Sequence, residues 1–211
     1  MAKAVVLLVF LATLTCASPA FSDGDPASDY LLFASTFVPP DVGIPKAYGD
    51  QLTATVREAK ARGYVVRVAV IGSRYDMGSV TVLYEKPKQY ARFLGTELSI
   101  VYKKRLLIVM PNGLAVSQNG KASAREQAVV DRIAAPGNDG IALASAATKA
   151  VIRLAADAGV IVQPAPLAAS GRKEPNSTAT GDRITIAAAA LVAVLVVGLY
   201  LFLRRRIAML P

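Results

Sequence analysis

The sequence predicts an α/β protein, a small mixed sheet with a parallel crossover and a hairpin strand, flanked by helices and followed by a C-terminal transmembrane helix. Two apolar, β-branched runs at 64–71 and 106–110 enclose a helical pattern at 87–99. A strand, a helix and a second strand at this spacing form a right-handed parallel crossover. Residues 184–203 are uncharged and mostly apolar. A helix of about 20 such residues matches the thickness of a bilayer's hydrocarbon core.

The first half of the predicted domain alternates helix and strand. Apolar residues recur at helical spacing over 45–62, and Gly63 follows where a C-terminal cap glycine belongs. Residues 64–71 then read as a mostly buried strand. A second helix is predicted over 87–99, because Pro87 suits a first turn and the following apolar residues share one face.

The second half is predicted to hold a hairpin and two further helices. Residues 106–110 form a buried strand, and Asn112 with Gly113 marks a tight turn into a strand at 114–117. Ser123 and Glu126 have the spacing of a capping box, which opens a short helix ending at Ala134. A longer helix is predicted from Asp139 to Ala158.

The flanking segments predict the domain organisation. Residues 1–22 combine Lys3, an apolar stretch and small residues, which is typical of a secretory signal peptide. We expect the α/β domain at 29–162 and a flexible linker rich in Pro, Ala, Ser, Thr and Gly at 163–183. The transmembrane helix at 184–203 and a cytoplasmic tail at 204–211 follow.

This organisation predicts a single-pass protein of the cell membrane. Arg204, Arg205 and Arg206 directly follow the apolar run, and such clusters stay on the cytoplasmic side. The domain is therefore expected outside the cytoplasm. Cleavage of the signal peptide is left open: if it is retained, the chain crosses twice and the domain is still outside.

The composition removes several classes of chemistry. The chain has no histidine, and its one cysteine is Cys16, inside the predicted signal peptide. Ser-His-Asp triads, Cys-His dyads, histidine-ligated zinc and disulfides are therefore excluded from the predicted domain. Carboxylate, hydroxyl, amide, lysine and arginine groups remain.

The basic pI near 9.8 does not predict nucleic-acid binding, because the charge divides by compartment. Between Asp23 and Asp182 the chain has 19 Lys and Arg residues against 15 Asp and Glu residues, and the remaining basic residues belong to the targeting and membrane-flanking segments. The membrane is the expected partner. Residues 103–105 are the candidate contact for anionic headgroups, with a solvated turn as the simpler alternative.

A candidate cation site follows from the predicted sheet. Ligands of open α/β sheets favour the carboxyl ends of the strands, where Asp76 and Ser73 follow one strand and Asn112 follows the next. With Asp139 from a nearby helix start, these oxygens can hold Ca²⁺ or Mg²⁺. Three of the four also have a structural interpretation: Asp76 as the cap of its own turn, Asn112 as a hairpin residue and Asp139 as a helix N-cap.

The order of elements resembles the TPM domain family, over residues 44–159. The resemblance rests on the sequences at 61–64, 89–94, 109–110 and 138–141, together with the two membrane signals. It implies a bacterial, membrane-tethered extracytoplasmic α/β domain; some members have accessory roles toward other membrane proteins, and some are described as acid phosphatases or cation-binding proteins. This chain has Lys104 and Arg105 in place of the family's Asn-Gly, and residues 114–120 replace its acidic, glycine-rich segment.

Two functions remain as hypotheses. The preferred one is a non-enzymatic accessory domain that assists or regulates other envelope proteins and needs no cofactor. The alternative is a divalent-metal-dependent phosphatase of the TPM type, which needs Ca²⁺ or Mg²⁺ at Asp76 and a second carboxylate nearby.

Overall fold

The computed structural model of the protein describes residues 24–167. The predicted signal peptide, most of the predicted linker, the predicted membrane span and the tail lie outside these residues. Within 24–167, none of the helices combines the length and the apolar character that a membrane crossing requires.

A five-stranded mixed sheet forms the centre, with the strands in the order β1 to β5. The first three strands are parallel, and β4 pairs antiparallel with both β3 and β5. This arrangement confirms the predicted mixed sheet with its crossover and hairpin. The strands are β1 (Thr36–Phe37), β2 (Val66–Val70), β3 (Arg105–Met110), β4 (Gly113–Gln118) and β5 (Lys121–Ala122).

Helices cover both faces of the sheet, and those that the sequence predicted are present with ends shifted by a few residues. They are α1 (Pro26–Leu31), α2 (Lys46–Ala61), α3 (Pro87–Glu97), α4 (Ala124–Val130) and α5 (Gly140–Asp157). The sequence analysis did not predict α1, β1 or β5, which have six, two and two residues and are too short to show a period. A 3₁₀ segment, Arg74–Leu83, follows β2.

Strand residues alternate between two apolar cores. Val66, Val68 and Val70 of β2 pack with α2 and α5 on one face. Ala69 and Ile71 pack with α1 and α3 on the other face. Burial of both faces explains why the strand sequence is apolar almost throughout instead of alternating with polar residues.

The predicted hairpin is present, with its turn one residue earlier than expected: Pro111 and Asn112 form the loop, and Gly113 pairs with Met110 as the first residue of β4. One local prediction is wrong. Ser123 and Glu126 do not form a capping box: Ser123 makes no side-chain capping bond, and the Glu126 carboxylate pairs with Arg105 of β3. A capping-box spacing indicates local bonding only where no partner from another element competes for the carboxylate.

The packed structure extends beyond the predicted domain limits of 29 and 162. Ala27 and Leu31 of α1 are fully buried. Past residue 162, the Ala165 carbonyl accepts a hydrogen bond from Gln51 Nε2 at 2.7 Å, and the Ala165 N–H donates to Thr55 Oγ1 at 3.2 Å. The first residues of the predicted linker therefore pack against α2.

Asp25 caps α1 and is buried against α3. Its Oδ1 accepts from the Ala27 N–H at 3.1 Å, and the Tyr90 hydroxyl lies 2.8 and 2.7 Å from its two carboxylate oxygens. Burial raises the pKa of Asp25 to about 6, although the Tyr90 hydrogen bond acts in the opposite direction. The carboxylate is thus held in a site that favours its protonated form.

Substitution by alanine should change the free energy of unfolding in opposite directions at two helical glycines. A Cβ on Gly95 of α3 would lie 2.7 Å from Ser117 Oγ and 2.9 Å from Gly120 Cα, whereas one on Gly49 of α2 would meet only Val38 Cγ1 at 3.8 Å. We expect Gly95→Ala to lower the free energy of unfolding by about 1–3 kcal/mol through overpacking. Gly49→Ala should raise it by about 0.5–1 kcal/mol through helix propensity. Urea unfolding checks both, and a stabilised Gly95→Ala variant would contradict the close packing of α3 on β4.

Asp25 should make stability fall as pH rises. Its folded pKa of about 6 exceeds the ordinary aspartate value of 3.8, so between these pH values the native state binds a proton that the unfolded state does not. Stability from this group is greatest below pH 3.8 and declines until the pH has passed 6, by about 3 kcal/mol in all. Asp25→Asn removes this dependence, so its Tm relative to wild type should rise between pH 4 and pH 7.5. Glu97→Gln at the exposed end of α3 is the control, and a Tm difference independent of pH for Asp25→Asn would contradict the assignment.

Candidate functional site

The loop after β2 contains Asp76, the leading predicted ligand, and hydrogen bonds of the loop occupy its carboxylate. Oδ2 accepts from the Gly72 N–H at 2.9 Å and from the Ser73 N–H at 2.7 Å. The residue is only 6% exposed, and this burial raises its pKa in spite of those two bonds. Asp76 therefore closes the first turn of the 3₁₀ segment, as its capping interpretation predicts.

The N-terminal segment packs against the same loop. Gly78 has a φ of +51°, and a Cβ at this position would lie 2.1 Å from the Gly24 carbonyl oxygen. The adjacent Met77 is fully buried. Only glycine allows this close approach. The chain that leads into α1 thus packs closely against the 3₁₀ segment that follows β2.

The other predicted site residues also serve local structure. The Asn112 side-chain amide donates to the Glu85 carbonyl at 2.5 Å, which ties the hairpin to the end of the 3₁₀ segment. Asp139 accepts from the Ala142 N–H at 2.7 Å and is the N-cap of α5. Ser73 is the N-cap residue of the 3₁₀ segment, and its N–H is one of the donors to Asp76.

Ser73 and Asp76 are the two predicted site residues that lie in contact. Among residues 24–167, no three Asp, Glu, His or Cys side chains are grouped as a metal site requires. A hard cation usually takes six to eight oxygen ligands, several of them carboxylates. Cation binding by Asp76, Ser73, Asn112 and Asp139 stays a prediction.

A cavity that the sequence analysis did not predict lies at the opposite end of the sheet. We call the end where the parallel strands begin the amino edge and the end where they finish the carboxyl edge. The cavity has a volume of about 390 Å³, and it lies where the parallel strands begin, between Ser35 before β1, the start of β2 and the segment before β3. Four basic side chains line it: Lys60, Arg67, Lys103 and Lys104. No Asp or Glu is among its lining residues.

Among residues 24–167, no carboxylate lies within salt-bridge distance of Arg67. Its Nη2 donates to the Leu32 carbonyl at 3.4 Å, and its guanidinium carbon lies 4.1 Å from the centre of the Tyr102 ring. Its Nη1 is buried without a hydrogen-bond partner among the described residues. Desolvation lowers the pKa of Arg67, and the nearby Tyr102 acts in the opposite direction.

Part of this basic cavity could be recognised in the sequence. The run at 103–105 was a candidate basic contact, with a solvated turn as the alternative, and Lys103 and Lys104 line the cavity. Arg105 does not, because it pairs with Glu126 and its guanidinium carbon lies 4.7 Å from the centre of the Tyr64 ring. Lys60 and Arg67 stand about 40 residues earlier, so only the parallel pairing of β2 with β3 brings them to the same edge.

Comparison with family models, with curated proteins and with solved structures finds no match to this chain.

Proposed function

We propose that this protein is a membrane-tethered, extracytoplasmic domain that binds and thereby assists or regulates other envelope proteins without catalysing a reaction. Its topology is argued from the apolar residues 184–203, the arginines at 204–206 and the polar segment before them. A folded α/β domain followed by a tether and a span suits a protein that acts on neighbours in the same membrane.

The use of Asp76 as a cap is the observation that carries the non-catalytic part of the proposal. Two backbone N–H groups share its Oδ2, and the residue is nearly inaccessible to solvent. A cation bound at Oδ2 would compete with those hydrogen bonds. Asp139 and Asn112 are likewise engaged in capping and in a loop contact.

Exposed apolar side chains support a binding role. Phe33, Tyr75 and Ile100 are 93, 86 and 89% exposed, respectively. Single exposed apolar residues are common, but aromatic residues are also enriched where partners bind. We therefore expect partner proteins to bury some of these side chains.

The finer fold assignment, a TPM-like domain with a C-terminal transmembrane helix, belongs to the same proposal. It rests on the order of helices and strands across residues 44–159 and on the short sequences quoted above. The alternative function, a divalent-metal-dependent phosphatase, would need a second carboxylate within coordination distance of Asp76.

The topology predicts a one-sided pattern of protease protection. When protease is added to sealed spheroplasts, the domain should be degraded, whereas an epitope tag placed after Arg206 should survive because the membrane shields it. Immunoblotting against the tag checks this, and a cytoplasmic marker protein must stay intact in the same sample. Loss of the tag from sealed spheroplasts would contradict the orientation.

The non-catalytic proposal predicts that Asp76 has no effect on phosphoester chemistry. Purified wild type and Asp76→Asn should hydrolyse p-nitrophenyl phosphate equally slowly, with and without Ca²⁺ or Mg²⁺, because no cation is held to polarise the phosphoryl oxygen. Neither cation should raise the Tm of the wild type. Metal-dependent turnover that Asp76→Asn abolishes, or a Tm increase of several degrees seen only in the wild type, would establish the alternative.

A further inference from the structure

Basic residues line the cavity at the amino edge of the sheet, and no acidic residue lines it. Lys60, Arg67, Lys103 and Lys104 reach it from the end of α2, the start of β2 and the segment before β3. Within residues 24–167, none of the four lies within 4.0 Å of a carboxylate oxygen, whereas Arg62 and Arg105 nearby are both paired. Cations that share a cavity without a counter-ion repel one another, and an anion in the cavity would relieve that repulsion.

Arg67 gives the cavity a fixed donor group. The guanidinium is oriented by the Leu32 carbonyl and by the ring of Tyr102, so its position is set before any ligand arrives. Its Nη1 is buried and lacks an acceptor among the described residues. This atom is closed to solvent, so a ligand would contact the part of the Arg67 side chain that lines the cavity.

The lining residues fit a phosphate group better than a carboxylate. Arg and Lys side chains together with the Ser35 hydroxyl can supply donors from several directions, which suits the tetrahedral oxygens of a phosphate. The exposed Ile100 and Val101 line the same cavity, so an organic group joined to the phosphate would have apolar contacts. The volume of about 390 Å³ accommodates both parts.

We propose that the amino-edge cavity binds a phosphate ester, with Arg67, Lys60, Lys103 and Lys104 holding the phosphate and Ile100 and Val101 contacting the organic part. This inference goes beyond the proposed function and does not depend on it. The phosphate ester can come from a soluble metabolite or from an anionic phospholipid headgroup, which share this chemistry.

The first experiment measures binding of a soluble phosphate ester. The full chain in neutral detergent is titrated with glycerol 3-phosphate by isothermal titration calorimetry at constant ionic strength, with chloride as the control salt. We expect saturable binding with a Kd of about 1 mM or tighter, and Arg67→Gln should weaken it about tenfold or more. Arg57→Gln removes the same charge from the exposed face of α2, outside the cavity, and should leave the Kd unchanged.

A second variant keeps the test decisive if Arg67→Gln does not fold. Lys103 and Lys104 are exposed, so the double variant Lys103→Gln/Lys104→Gln should fold and still lose about tenfold in affinity. Absence of saturable binding to the wild type would overturn the proposal. Equal weakening by Arg57→Gln and by the cavity variants would also overturn it, because non-specific charge attraction would then explain the binding.

The two sources are separated by repeating the titration in detergent micelles that contain phosphatidylglycerol. If the lipid headgroup is the ligand, these micelles should abolish the heat of glycerol 3-phosphate binding in the wild type, since the cavity is already occupied. If the ligand is a soluble ester, the Kd should be the same in both micelles. Both results support a phosphate-ester site and differ in what fills it.

Discussion

The burial of β3 on both faces is the constraint on which the rest of the structure depends. Leu107 and Val109 pack into the core below α2 and α5, while Leu106, Ile108 and Met110 pack below α3. The strand also pairs with β2 on one side and β4 on the other. A one-residue shift of this strand would exchange the side chains that pack into the two cores, so both cores specify its register and thereby fix the loops at its two ends.

Those two ends of the sheet differ in how their polar groups are satisfied. At the carboxyl edge, Asp76, Asn112 and Asp139 all accept or donate hydrogen bonds within the fold, and the N-terminal segment packs against Gly78. At the amino edge, four cations surround an open cavity and none of them has a carboxylate partner among the described residues. Open α/β sheets usually bind ligands at the carboxyl edge. In the described part of this protein, the basic side chains without a carboxylate partner lie at the amino edge instead.

Periodicity made most of the fold predictable from sequence. The strands at 66–70 and 105–110 and the long helices were recognisable because each buries an apolar run or an apolar face. The helix at Pro26–Leu31 was not, since six residues carry too little pattern, and it is held in place by the long-range contact of Asp25 with Tyr90.

The role of a site residue could be predicted from sequence only where its hydrogen bonds are to near neighbours in the chain. The capping roles of Asp76 and Asp139 follow from their positions at turn and helix starts. Glu126 has the correct spacing for a cap but pairs with Arg105, a partner that only the fold brings near. The basic cavity depends in the same way on parallel pairing, which joins Arg67 to the segment before β3. Interactions between distant segments are the part of the site that sequence spacing does not encode.

Hydrogen–deuterium exchange of the full chain, with and without glycerol 3-phosphate, tests most directly whether the amino edge is the ligand-binding end of the sheet. A bound anion should order the segments around the cavity and slow the exchange of their amides. We expect added protection in peptides that cover residues 33–36, 60–67 and 100–105, and unchanged exchange at 72–77 and 111–113. Protection at 72–77, or no change at the amino edge, would contradict this account.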